Sequence, residues 1–204
     1  MIIDFDDFGS DHVISNMCQS HDCRERLDQL HYANPDFKVT LFAIPGEMTQ
    51  EILNWCRANR SWVELAVHGF YHTSNYECDN ITYEEFNDKM LELGDIIDIY
   101  FVKGFKAPGW QISEGAYSWL KDNGWWIADQ SYNNDRRPKE IPAYVNNGGE
   151  FYVQIDDSTL ETVAAWHGHT WDCVGNGIYE TFDRVKSAVE GANEFKFVSE
   201  ILNA

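Results

Sequence analysis

Two adjacent acids, Asp6 and Asp7, and two close pairs of histidines, His68/His72 and His167/His169, carry the chemistry this sequence can do. Adjacent residues leaving a strand point in different directions, so one carboxylate can hold a metal while the other faces a neighbouring water. Close like charges resist joint ionisation, and a bound cation removes that penalty. Asp4 adds a third acid, read as structural. In so acidic a chain, Asp-Asp alone also fits a solvated turn. Histidines at i and i+4 on a helical face converge on one ion. Position 69 is Gly rather than Glu, so His68–His72 is not the HExxH metalloprotease signature. One Asp and two His leave positions open on Zn2+ or a similar divalent ion, the pattern of a catalytic site. His167 and His169 flank Gly168 and suit proton donation near neutral pH, with a second metal site or simple packing as alternatives. Lys106, followed by Pro108-Gly109-Trp110, and Asp129 form the last constellation, in which a cation beside a carboxylate keeps a general base ionised.

These residues need strands and helices to bring them together. Apolar runs predict strands over residues 1–5, 37–44, 62–67, 101–107 and 125–128, with extended segments at 141–145, 151–155 and 161–167 and a last strand at 195–198. Helical spacing predicts helices over 22–33, 48–59, 82–99, 113–123 and 178–190. Thr82 and Glu85 form a capping-box signature, Ser113 is a further N-cap and Gly124 a C-terminal stop. Repeated strand–helix alternation argues for a mostly parallel α/β sheet, open or closed as a barrel. Chemistry in such folds sits at the C-terminal strand ends. Asp6-Asp7, His68, Lys106–Pro108, Asp129 and His167–His169 all fall at or just past such an end.

Composition narrows the partners. The 204 residues carry 15 Lys+Arg against 34 Asp+Glu, a net charge of -19, which repels nucleic-acid backbones and anionic membrane surfaces. No apolar run approaches the roughly 18 residues of a membrane span. No basic segment followed by an apolar core marks a signal peptide at the start, so a cytoplasmic location is the expectation. The five cysteines are odd in number and lack a CxxC pair, which reads as reduced thiols, with a Cys18–Cys23 disulfide or a cysteine zinc site as the alternative. No linker or repeat divides the chain, so one domain over 1–204 is expected.

Taken in order, these residues resemble the polysaccharide deacetylase family, the NodB-homology or family-four carbohydrate esterases. Asp4-Phe5-Asp6-Asp7-Phe8-Gly9 resembles its first motif, and His68–His72 matches the spacing of the second. Lys106-Ala107-Pro108-Gly109-Trp110 resembles an Arg-x-Pro stretch; Trp125, Trp126 and Asp129 stand in the place of an aromatic wall with an acid; His167 or His169 stands at the fifth motif. The resemblance spans residues 4 to 169. It implies a distorted (β/α) barrel with mostly parallel strands. It also implies Asp7, His68 and His72 as ligands to a divalent metal, Zn2+ foremost, and Asp6 as general base. His167 or His169 is then the general acid, with Lys106 and Asp129 positioning or tuning the base. Pro108, Trp110 and Trp126, together with Trp171, are the expected substrate contacts. The implied reaction removes N-acetyl or O-acetyl groups from a carbohydrate by attack of metal-activated water. Three departures stand out: Lys106 where Arg is usual, Gly69 where Ser or Thr follows the first His, and Phe8 between Asp7 and Gly9. The Asp-Asp-Phe-Gly string is also similar to the diacetylchitobiose deacetylase-like family. A hydrolase of small amides or ureido compounds, or a catalytically inactive sugar-binding relative, are the competing readings.

Overall fold

The computed structural model describes residues 1–10, 12–13, 19–20, 22–74, 76–130, 143–146, 152–155, 161–172 and 177–202. The strands are β1 (Ile2–Phe8), β2 (His12–Val13), β3 (Gln19–Ser20), β4 (Val39–Ala43), β5 (Val63–His68), β6 (Gly104–Lys106), β7 (Trp126–Gln130), β8 (Ala143–Asn146), β9 (Tyr152–Ile155) and β10 (Glu161–His169). The helices are α1 (Arg24–Ala33), α2 (Gln50–Ala58), α3 (Tyr83–Glu92), α4 (Gly94–Tyr100), α5 (Glu114–Asp122), α6 (Ile178–Gly191) and α7 (Val198–Leu202). None is long and apolar enough to cross a membrane.

Eight strands close into a barrel in the order β1-β10-β9-β8-β7-β6-β5-β4, while β2 and β3 form a separate two-stranded ribbon. All barrel neighbours pair parallel except the two pairings of β9. This is a distorted α/β barrel with mostly parallel strands. Period-2 alternation divides each strand between two environments. Outward residues such as Ile3, Phe5, Leu41 and Leu65 pack with α1, α2 and α6, and Val67, Phe105 and Ile127 pack with α3 and α5. Inward residues fill the barrel in layers.

At the floor, buried Glu64 accepts hydrogen bonds from Thr40 Oγ1 at 2.9 Å, Ser199 N at 3.3 Å and the Ser199 hydroxyl. Above it, Ile2, Phe42, Ala66, Trp126, Ala128 and Ala165 form an apolar plug. Gly104 makes room for that plug, since a Cβ there would lie 2.0 Å from the Trp126 ring. The charged residues occupy the mouth at the C-terminal strand ends, above this plug.

Several boundaries differ from the sequence expectation. β1 continues through the acids to Phe8, with an irregularity in its pairing to β4 between Phe5 and Phe8. The helix expected over 82–99 breaks at Leu93, whose ψ of 6° ends α3 before Gly94 opens α4. The expected strand at 195–198 is instead a lead into α7. Phe197 N is taken by Glu200 Oε2 at 2.8 Å and Val198 N by Thr40 Oγ1 at 3.0 Å, so side chains rather than a neighbouring strand take these amides. The expected caps are present: Thr82 and Glu85 form a reciprocal box, Ser113 accepts from Ala116 N, and Gly124 has φ +70°.

Candidate active site and metal centre

Register decides which acid meets which histidine. The parallel pairing of β1 with β10 sets Asp4 opposite His167 and Asp6 opposite His169. The pairing of β5 with β6 sets His68 beside Lys106. With side chains alternating, Asp4, Asp6, His167 and His169 share one face of the sheet.

Asp7, His68 and His72 converge. His68 Nε2 lies 3.2 Å and His72 Nε2 3.1 Å from Asp7 Oδ1, and one atom from each residue lies within 4.8 Å of the others. Ligands about 2.0–2.2 Å from a tetrahedral Zn2+ sit about 3.3 Å apart, so the spacing fits a divalent cation. The His68 tautomer fits too. Its Nδ1 is 3.0 Å from the Lys106 carbonyl oxygen, which can only accept, so Nδ1 carries the proton and Nε2 presents its lone pair to the site. Asp7 is oriented from behind. Trp171 Nε1 donates to Asp7 Oδ2 at 2.6 Å, and Thr170 Oγ1 donates to the Asp7 carbonyl at 2.7 Å. Burial would push the Asp7 carboxyl up, but the two imidazoles hold it well below the usual carboxylate range.

The histidines do not meet on a helical face as their spacing suggests. His68 ends β5, and residues 69–72 form an irregular turn with φ +64° at Gly69 and +49° at His72. Glu77 holds this turn: Oε1 accepts from Phe70 N at 2.7 Å and His72 N at 3.2 Å, and Oε2 accepts from Tyr71 N at 3.4 Å. A Cβ at position 69 would lie 1.9 Å from Glu77 Oε1 and 2.6 Å from Pro108 Cγ, so glycine is required where the resemblance expects Ser or Thr. Asp7, His72 and Trp110 are the non-glycine residues with positive φ among the described residues, and all three line this mouth. Such strain, about 1–3 kcal/mol each, collects at functional sites.

Asp6 stands beside this set. It is buried, and Lys106 Nζ lies 2.6 Å from Oδ1. Burial would raise the Asp6 pKa, but Lys106 and the neighbouring histidines outweigh it and hold the carboxyl down at about 2. Lys106 itself is 0% exposed, with its ammonium 4.0 Å from the Trp110 ring centroid and 4.7 Å from that of Phe42. Asp4, read as structural, has a specific partner, since its Oδ1 lies 2.5 Å from His167 Nδ1. His167 Nε2 then faces Asp6 Oδ2 at 3.8 Å. His169 Nε2 is 3.9 Å from the same oxygen, and burial lowers its pKa to about 4, so its ring is neutral at neutral pH.

The aromatic expectations divide. Trp110 lies at the mouth, its ring centroid 5.9 Å from that of His167 in an edge-to-face contact. Pro108 is buried against Gly69. Trp126 is a correction: at 2% exposure, edge-on to Phe42, it fills the barrel beneath the site and offers no face to a sugar. Trp171 gives its N–H to Asp7 and one ring face to His169, 3.8 Å away. Asp129 belongs to β7 by its backbone pairing with Val145, and its side chain lies outside the described residues, as do Cys18 and Cys173. Cys23, Cys56 and Cys78 are free buried thiols, and no cysteine joins the metal-competent clusters among the described residues.

No family sequence model and no curated relative matches the chain. Solved structures do match in fold. A peptidoglycan N-acetylglucosamine deacetylase superposes with a TM-score of 0.58 at 16% identity, covering 100% of this chain and 87% of that one. A family 4 acetyl xylan esterase from Clostridium thermocellum, solved with a cobalt ion, gives 0.58 at 14% identity, covering 99% and 89%. A family pseudoenzyme from Bacillus anthracis gives 0.58 at 12% identity, covering 98% and 64%. The chain therefore has the barrel fold of the family-four carbohydrate esterases, the NodB-type fold that its motifs resemble.

Proposed function

We propose that this chain is a metal-dependent deacetylase that hydrolyses acetyl groups, N-acetyl foremost, from a carbohydrate. One observation carries the reading: a three-ligand set of Asp7, His68 and His72 lies beside a buried carboxylate tethered by Lys106 and an Asp4–His167 pair. The neighbours named for deacetylase and acetyl esterase activity supply the substrate class. A pseudoenzyme shares the fold, so the fold alone does not argue for activity. The constellation does.

Asp7, His68 and His72 would hold the divalent cation, and their oxygen and nitrogen donors suit Zn2+. When bound, such an ion polarises a carbonyl and acidifies water. The protein's own groups move the protons. Asp6 Oδ2 accepts one from the attacking water, while Lys106 on Oδ1 keeps Asp6 ionised and its second oxygen turned to the site. His167 Nε2 gives one to the departing nitrogen as the C–N bond breaks and acetate forms. Asp4 on Nδ1 orients the imidazole. His167 rather than His169 is the acid in this scheme, because the Asp4 carboxylate backs His167 and burial keeps His169 neutral. Trp110, partly exposed, packs against Lys106 and His167, and a sugar ring would stack on its solvent side.

The test is acetate release from N-acetylated oligosaccharides by the zinc-loaded protein, with metal content measured on the same sample. Release from the oligosaccharides supports the proposal. Bound zinc without release favours an inactive sugar-binding protein, and release only from small non-peptide amides favours the small-amide hydrolase.

A further inference from the structure

A second three-residue cluster lies at the same mouth. Asp6 Oδ2, His167 Nε2 and His169 Nε2 face one another, with the carboxylate oxygen 3.8 and 3.9 Å from the two nitrogens and all three within 4.8 Å. Among the described residues this cluster and the Asp7 set are the two that can take a metal. We propose that Asp6, His167 and His169 form a second divalent-cation site, weaker than the first, and that filling it shuts the enzyme off.

Three features build the site. The Asp4 carboxylate, 2.5 Å from His167 Nδ1, accepts a hydrogen bond from the ring N–H on that side, so the neutral ring turns its Nε2 lone pair toward Asp6, the arrangement of a carboxylate–histidine–metal triad. Trp171 stacks on His169 at 3.8 Å with the planes 27° apart, which fixes the second ring. Lys106 binds only Oδ1 of Asp6, leaving Oδ2 turned toward both histidines. The two distances from Asp6 Oδ2 exceed the roughly 3.3 Å tetrahedral spacing by about 0.5 and 0.6 Å, so an inward rotation of the side chains completes the site. Lys106 also explains why this site is the weaker one. A cation on Oδ2 is repelled by the ammonium on Oδ1, whereas the Asp7 carboxylate faces two imidazoles and an indole N–H. A metal here would occupy Oδ2 of the base and Nε2 of the acid, the two atoms that must exchange protons with the reactants. The inhibitory consequence rests on the deacetylase reading; the site does not.

Equilibrium dialysis of the full chain against Zn2+, with bound metal counted by elemental analysis, tests the site. Two equivalents should bind, the second at higher free zinc. His169→Gln should keep only the tight equivalent, and His72→Ala only the weak one. His167→Gln, at a partly exposed position, provides a second variant in case His169→Gln fails to fold, and should also bind one. Saturation of the wild type at a single equivalent, or two equivalents retained in a folded His169→Gln or His167→Gln protein, overturns the proposal. Acetate release then separates the two readings. It should rise with the first equivalent and fall with the second. Two bound equivalents with no release at any zinc level leave the site standing and reject the deacetylase. Release undiminished by the second equivalent rejects the shut-off.

Discussion

Asp4 Oδ1 lies 2.5 Å from His167 Nδ1 across the β1–β10 pairing, which turns an acid read as structural in the sequence into the partner of the proposed proton donor. Asp4→Ala should therefore lower kcat by about 10²-fold, the lower end of what general acid–base catalysis contributes. The metal held by Asp7 should stay, because Asp4 acts on His167 and lies near Lys106, neither of which belongs to the Asp7, His68 and His72 set. The loss should shrink for an aryl acetate, whose leaving group departs without protonation. An equal loss on both substrates would assign Asp4 to folding rather than to the acid.

Lys106 is the only ammonium on Asp6 Oδ1 among the described residues, and the pair is buried together. Lys106→Met leaves burial opposed only by the neighbouring histidines, so the Asp6 pKa rises from about 2 toward the ordinary carboxylate range. The proposed base is ionised only above its pKa, so the acid limb of kcat/KM should move to higher pH in the variant. Lys106→Arg should keep the limb near its wild-type position, since the charge remains. A pH–rate profile on the three proteins checks this, and an unmoved limb in Lys106→Met would show that another group controls it.

Much of this site can be read from residue type and order. The caps at Thr82 and Ser113, the parallel alternation and the placement of the acids and histidines at strand ends are local signals, and they agree with the fold. What escapes sequence reading is what depends on register and turn shape. Asp4 meets His167 only because β1 and β10 pair at that register. Trp126 looks like an exposed platform until Gly104, on the neighbouring strand, opens the space that takes it inside. The i, i+4 spacing of His68 and His72 suggests a helix, yet a left-handed glycine and a carboxylate five residues past His72 make the convergence. The glycine at 69 was the one visible signal of that turn.

That turn gives the next expectation. Gly69→Ala places a Cβ 1.9 Å from Glu77 Oε1 on a backbone with φ +64°, so it both strains the residue, by about 1–2 kcal/mol, and displaces the carboxylate that holds Phe70 and His72 N–H groups. His72 should lose its aim and zinc affinity should fall by about 10- to 100-fold, the range for losing an outer support of a ligand. Glu77→Ala should weaken zinc similarly. Competition with a chromophoric chelator measures both. Wild-type affinity in a folded Glu77→Ala protein would remove the turn from the metal site.

Trp171 makes a different kind of support, from its indole N–H to Asp7 Oδ2 at 2.6 Å. Trp171→Phe retains the ring against His169 and removes only the donor. Zinc affinity should fall by about 10-fold or more with little change in thermal stability. A stability loss with unchanged metal binding would make Trp171 a packing residue.

At the opposite end of the barrel, Glu64 is a buried acid whose burial raises its pKa above the ordinary 4.5, although hydrogen bonds from Ser199 and Thr40 pull the other way. A carboxyl whose folded pKa is raised binds its proton more tightly folded than unfolded. Its contribution to stability is complete below about 4.5 and declines as pH rises through the folded pKa. Glu64→Gln lacks this titration and keeps one oxygen to accept from Thr40 or Ser199. The Tm of the wild type relative to Glu64→Gln should therefore fall between pH 4 and pH 8, with the larger wild-type advantage at the acid end, a direction opposite to the one Asp6 would give. Asp6, with its pKa depressed to about 2, contributes stability above its ordinary 3.8 that is lost only as pH falls through about 2. Over pH 4 to 8 Asp6 is therefore silent, and the slope in that window belongs to Glu64. A flat difference in Tm would mean that Thr40 and Ser199 hold the Glu64 charge well enough to cancel the cost of its burial.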